Sequence, residues 1–199
     1  MKYLFLAISL IFTHQASAQS LPLWVPSIGV ATHASVDLDK YVGRWYEFAA
    51  IPQSFQKQCV GNTTAEYGFA NNNLISVVNS CDTKTGERSV AEGRAKVVDL
   101  NSKSKLRVTF VNFFGWQFAL GGDYWILGIG ENYSYAVVGS PGRDYAWILS
   151  RTPEMSSTQI SEVNQILVSQ GYDTCKLIST PQAGGLQVKQ PVCDLAREE

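Results

Sequence analysis

The chain has 199 residues, a formal net charge of −1, 45% hydrophobic residues and 17% charged ones. That even sign balance, with no Lys/Arg run, argues against a polyanion surface, so no nucleic-acid partner is expected. Aromatics make up 12% of the chain, which suits an apolar interior better than a basic groove.

In chain order, residues 1–18 read as a signal peptide. Lys2 gives a positive start, residues 3–12 form an apolar core, and Ala16-Ser17-Ala18 is a small-residue cleavage site. No Cys sits near that site, so a bacterial lipid anchor is not expected, and the mature chain is expected in the periplasm or secreted. Residues 19–35 hold two prolines and no period. They read as an N-terminal arm in which Trp24 packs on the domain surface. Strand-like segments follow at 43–51, 62–70, 74–80, 89–100, 105–113, 124–130, 134–140 and 145–150. Each is bounded by turn residues such as Asn71-Asn72-Asn73, Gly121-Gly122-Asp123 and Pro141-Gly142-Arg143-Asp144. Eight strands with hairpin-length joints predict an antiparallel meander, and about eight strands close a barrel wide enough for one small ligand.

Thr152-Pro153-Glu154 stops the last of these strands. Ser156 or Ser157 can cap a helix that places Ile160, Val163, Ile166 and Leu167 on one face and ends at Gly171. With a single apolar stripe, that helix should lie on the outside of the barrel. A short ninth strand is expected at 174–180. The barrel domain then runs over 36–182, with a loop-like tail at 183–199.

Period two sorts the faces. In the fourth segment Glu92, Arg94 and Lys96 face water, so Ala91, Gly93, Ala95 and Val97 face inward and leave room. Leu106, Val108 and Phe110 share the inward face of the fifth, Tyr145, Trp147 and Leu149 that of the eighth, and Thr63, Ala65, Tyr67 and Phe69 that of the second. An interior that is mostly apolar with a few polar tips is the make-up of a ligand cavity. Glu47 shares parity with Trp45 and places a carboxylate among these residues. If buried, it must be paired or protonated.

Cys59, Cys81, Cys175 and Cys193 read as two disulfides in an exported chain. Four cysteines allow three pairings. Cys59–Cys81 with Cys175–Cys193 is favoured, because the first two bracket the Asn71-Asn72-Asn73 turn almost symmetrically, and Cys59–Cys193 with Cys81–Cys175 is the main rival. No Cys-x-x-Cys occurs and His33 is the one histidine left after cleavage, so no metal site is expected. Catalysis has little support either. There is no Gly-x-Ser-x-Gly, and Gly128-Ile129-Gly130 lacks the third glycine and the helix of a dinucleotide loop, so no cofactor is expected.

Over residues 36–182 the chain resembles the lipocalins, in particular the bacterial lipocalins and apolipoprotein D. Gly43-Arg44-Trp45-Tyr46-Glu47 is similar to the family's first signature, and Gly130-Glu131-Asn132-Tyr133-Ser134-Tyr135 to the second, where it departs from the commoner Thr-Asp-Tyr form. Trp147-Ile148-Leu149-Ser150-Arg151-Thr152-Pro153 is similar to the third. The resemblance implies an all-β, eight-stranded up-and-down barrel with the helix packed outside. It implies that Trp45 and Arg151 stack to seal one end, with Gly43 beside them, a contact worth about 1–2 kcal/mol when shielded from water. It also implies that Tyr67 and Trp147 line the pocket. The expected ligand is a fatty acid, lysophospholipid or similar lipid, carried or stored in service of the bacterial envelope by a monomer or weak homodimer. Two other readings remain: a lipocalin-like enzyme acting on a hydrophobic substrate, and contact with a protein or membrane through the aromatics Phe113, Phe114, Trp116 and Phe118 at the mouth.

Overall fold

The structure, a computed structural model, describes residues 29–197. The signal-peptide reading, residues 19–28 of the arm with Trp24, and the last two residues lie outside the described residues. Eight antiparallel strands close a barrel: β1 (Gly43–Ala50), β2 (Cys59–Ala70), β3 (Leu74–Thr83), β4 (Arg88–Val97), β5 (Lys105–Thr109), β6 (Gly122–Ile129), β7 (Tyr135–Gly139) and β8 (Ala146–Ser150). Neighbours in sequence pair in turn, and β1 completes the ring by pairing with both β8 and β2.

The alternation of side chains produces two cores on opposite faces of one wall. Trp45, Ala65, Tyr67, Val77, Ala95, Leu106, Ile126, Val138 and Leu149 pack inside the barrel. Phe48, Tyr135, Val137 and Ile148 pack outside it, against the helix α2 (Ser157–Ser169). This is why β7, with helix on one face and interior on the other, is buried at every position. Ser156 caps α2: its hydroxyl accepts from the Gln159 N–H, while the Gln159 side chain accepts from the Ser156 N–H. Ile160, Val163 and Leu167 are buried beneath the helix, each fully buried apolar side chain worth roughly 1.5–3 kcal/mol.

Where β1 and β2 part company, the C-terminal segment fills the seam. β9 (Ile178–Ser179) pairs with Ala49 and Ala50, and the Thr180 N–H donates to the Phe48 carbonyl at 2.8 Å. The Asn62 N–H donates to the Pro181 carbonyl at 2.8 Å. Gln182 Nε2 then bridges the two strands, donating to the carbonyls of Glu47 (2.9 Å) and Thr63 (2.8 Å). Glycine is needed at position 61, because a Cβ there would stand 2.8 Å from the Pro181 oxygen.

Several boundaries differ from the sequence reading, each for a local reason. β5 ends at Thr109 rather than at 113, because the Thr109 hydroxyl donates to the Gln117 carbonyl and turns the chain into a loop. β4 ends at Val97 rather than at 100, where Asp99 accepts from the Asn101 N–H and the Ser102 hydroxyl in a turn. Most of the expected ninth strand is a 3-10 turn at Thr174–Lys176, nucleated by Asp173 accepting from the Cys175 N–H. The tail contains a helical turn, α3 (Val192–Leu195), whose Val192 is fully buried. The disulfides join Cys59 to Cys81 and Cys175 to Cys193.

Candidate functional site

One end of the barrel is sealed by the helical turn α1 (Leu38–Tyr41), capped by Asp37. The Arg151 guanidinium lies 3.7 Å from the centroid of the Trp45 ring, which is itself wholly buried. Its nitrogens donate to the carbonyls of Arg44 (2.8 Å), Lys40 (2.6 Å), Tyr41 (3.1 Å) and Val42 (3.1 Å). Trp45 Nε1 donates to the Tyr41 carbonyl at 2.8 Å. Gly43 sits at φ +98°, a conformation that disfavours side chains, and a Cβ there would lie 3.3 Å from the Arg151 guanidinium. Tyr133, from the turn between β6 and β7, accepts the Asp37 N–H and ties that turn to the floor. The floor is therefore a structural plug with its donors and acceptors matched.

Above it the interior changes character. Inward side chains near the floor are closed to solvent, as with Leu106 (4% exposed) and Ala95 (2%). Their cross-strand partners Val108 and Tyr124, and Trp147 on β8, are only half-buried. Register fixes their direction: Leu106 faces Tyr124, Ala95 faces Val108, and Ala50 faces Trp147.

Three tyrosines cross this space. Tyr124 Oη lies 2.8 Å from Tyr41 Oη and 3.0 Å from Tyr67 Oη, and the Tyr41 and Tyr67 rings lie 5.8 Å apart. Burial pushes the Tyr67 hydroxyl up to about 12 and those of Tyr41 and Tyr124 well above 10. All three therefore stay neutral donors at physiological pH. Tyr67 was legible from parity. Tyr41 and Tyr124 were not, because one lies on the floor turn and the other belongs to a strand whose inward face was not assigned.

The remaining candidates divide between interior and rim. Val108, Ala95, Tyr67 and Trp147 line the interior. Phe110 (44% exposed) and Tyr145 (39%) are at the open rim instead, past the ends of β5 and β8, where parity no longer means enclosure. Tyr145 stacks on Trp147 with ring centroids 6.0 Å apart, and so extends the interior wall outward. Glu47 is buried in the β1–β2 seam. Its carboxylate accepts from Thr180 Oγ1 at 2.7 Å and Gln56 Nε2 at 3.0 Å. Burial raises its pKa, and these two hydrogen bonds hold it down in part. Glu47 also lines a small cleft of about 250 Å3 in that seam, together with Lys57 and Lys189. A larger cleft of about 410 Å3 lies on the outer wall, but its arginines Arg44 and Arg88 are already paired with Glu66 and Asp82.

At the mouth, the loop between β5 and β6 is braced against the outer wall. Arg94 lies 4.8 Å from the Trp116 ring centroid, Lys96 lies 4.9 Å from that of Phe118, and Arg107 donates to the carbonyls of Phe118 and Gly121. Bracing these two aromatics leaves Phe113 and Phe114 exposed at the tip.

A closed antiparallel barrel with a Trp–Arg floor and a helix on its flank defines the calyx class of β-barrel. The chain belongs to the lipocalin family: the lipocalin-like domain model matches residues 36–182. It is 38% identical to temperature-induced lipocalin-1 of Arabidopsis thaliana over 74% of this chain and 80% of that one. It is 35% identical to the outer membrane lipoprotein Blc of Vibrio cholerae, over 73% and 82% respectively. Apolipoprotein D of Rattus norvegicus is 34% identical over 74% of this chain and 77% of its own. Among solved structures, insecticyanin of Manduca sexta shares the fold with a TM-score of 0.63 at 22% identity, over 86% of this chain and 97% of that one.

Proposed function

We propose that the protein binds and carries or stores one small hydrophobic molecule in the barrel, a fatty acid, lysophospholipid or similar lipid, after export to the periplasm or out of the cell. A place in envelope maintenance fits the likeness to an outer membrane lipoprotein. The observation that supports the reading is the half-burial of Val108, Tyr124 and Trp147, side chains of the inward face that pack against the interior core. Removing apolar surface from water at roughly 25 cal/mol per Å2 lets a sixteen-carbon chain reach micromolar affinity after the costs of association. Ala95 keeps the middle of the cup wide, Trp147 and Val108 supply wall, and Phe110 and Tyr145 guide entry. All four cysteines are in disulfides, which removes a thiol route for an enzyme acting on the same cargo. Two pairs of cysteines joined in this way also fit an oxidising compartment.

A second role has its own observation. The braced loop presents Phe113 and Phe114 outward beside the cup entrance, as a peripheral contact with a membrane from which cargo is taken. The experiment for the main reading is mass spectrometry of lipid released from the purified protein, with titration of a fluorescent fatty acid. A stoichiometric lipid and a saturable dye site are expected. Protein free of lipid that also refuses the dye overturns the proposal.

A further inference from the structure

The outer-wall cleft, about 410 Å3 in volume, falls within the roughly 300–1,000 Å3 of small-molecule sites. One bank is a block of side chains that alternation turns outward, away from Trp45 and Tyr67. Arg44 pairs across the strands with Glu66, and Tyr46 with Thr64. Ser80 stands beside Thr64 on β3. Pro153, Gln182 and Ala183 line the opposite bank. The two banks are tied together: the Ala183 N–H donates to Asn62 Oδ1 at 2.7 Å, and Asn62 Nδ2 donates to Asp82 Oδ2 at 2.6 Å.

Hydrogen-bonding capacity is used up on one side of this cleft and left over on the other. Arg88 is spent, since it donates to Asp82, Thr64, Ser80 and the Asn62 carbonyl. Arg44 makes one hydrogen bond, to Glu66 Oε2 at 3.3 Å, out of five N–H groups. Glu66 Oε1 accepts from no described residue, and both side chains are more than half exposed. Tyr46 is half-buried, and its hydroxyl has no partner among the described residues. Gln182 is 2% exposed. Its amide nitrogen donates to the Glu47 and Thr63 carbonyls, while its Oε1 accepts from no described residue. Among the described residues, the wholly buried side-chain atoms without a partner are those of Asn79 and Asn164. The Gln182 oxygen therefore keeps contact with open space, and this cleft is the space Gln182 lines.

Each charge lining the cleft is already answered, Arg44 by Glu66 and Arg88 by Asp82, so an ion gains no net field there. A wholly apolar molecule would cover Arg44, Glu66 and Gln182 without matching them. What remains is donors and acceptors set around one aromatic ring. Neighbouring hydroxyls on a carbon ring fit that pattern. One hydroxyl accepts from Arg44 while the next donates to Glu66, both charge-assisted hydrogen bonds. A third donates to Gln182 Oε1, and the C–H face of the ring lies against Tyr46. We infer that the outer-wall cleft binds a neutral saccharide ring, at a site separate from the barrel interior. This goes beyond the lipid-binding reading and does not rest on it.

Saturation-transfer NMR of the natural protein with glucose, galactose, mannose and N-acetylglucosamine, each at about 10 mM, tests the inference, with glucuronate as the anionic control. At least one neutral sugar should give a saturable signal. Glu66→Ala and Tyr46→Ala should each weaken it about tenfold. Glu66 is exposed on the wall, so its variant keeps the fold and reports on the cleft even where Tyr46→Ala costs stability. No signal from any of the four neutral sugars overturns the inference. Binding that either folded variant leaves unchanged also overturns it, because the sugar then sits elsewhere. So does tighter binding of glucuronate than of glucose, because the cleft would then be reading charge. None of these outcomes bears on lipid binding.

Discussion

The floor plug and the layer of side chains resting on it are built from similar residues and come out differently. At the floor, Arg151 is matched by an aromatic face and four carbonyls, and Trp45 by the Tyr41 carbonyl. Resting directly on it, three tyrosines share two hydrogen bonds, and among the described residues the Asn79 oxygen has no partner. Aromatic and polar side chains are thus structural where their bonding capacity is used up within the chain. They become candidates for recognition where some of it is left over. Sequence motifs point to the first kind more readily than the second.

Substitutions can break that contrast. The largest effect is expected at Arg151→Ala, which removes the stacking and strands the floor carbonyls. A loss of about 4 kcal/mol in denaturant unfolding is expected, with little recovered by Arg151→Lys, since a point charge cannot fork across several carbonyls. Tyr67→Phe, in the layer just above the floor, should cost far less, since it removes one hydrogen bond. Next comes Cys59→Ser with Cys81→Ser. It opens a loop whose ends are 22 residues apart and should lower stability by roughly 3 kcal/mol.

A smaller, pH-dependent effect belongs to Glu47. Its folded pKa is raised above 4.5 by burial, so the native state holds its proton longer than the unfolded chain does. Its contribution to stability is full below the unfolded pKa and is lost as pH rises through the folded one. Glu47→Gln cannot titrate, so its melting temperature should gain on the natural protein as pH rises from 4 to 8. A constant difference across that range would contradict the assignment. Asp82 and Asp99 have lowered pKa values and act in the opposite direction on acidification, but they are common to both proteins and cancel in the comparison. Smallest of all is Phe114→Ser at the loop tip, where stability should change by less than about 0.5 kcal/mol. Its vesicle binding should nonetheless fall if the mouth meets a membrane.

Much of this was legible in the residues. Alternation of charged and small side chains gave the inward face of β4, turn residues marked the joints, and the Trp45 and Arg151 motifs located the floor. Helical spacing found Ile160, Val163 and Leu167 beneath α2. Alternation says nothing about where a strand stops, however. Phe110 and Tyr145 kept inward parity and still ended on the rim, because Thr109 and the turn before Ala146 end the ladder first. The seam was also hidden. Glu47 meets Thr180 and Gln182 across more than 130 positions of sequence, a contact that no local pattern encodes. The relay escaped for the same reason, since Tyr41 and Tyr124 come from a floor turn and a distant strand.

The hollow interior is tested most directly by titrating a neutral fluorescent lipid into the natural protein, Val108→Trp and Phe114→Ser. Val108→Trp puts an indole into the half-buried upper cup, whereas Phe114→Ser alters only the rim. Saturable one-to-one binding is expected in the natural protein and in Phe114→Ser, and its loss in a folded Val108→Trp. Unchanged binding in Val108→Trp with loss in Phe114→Ser would place the ligand on the outer surface and contradict the account.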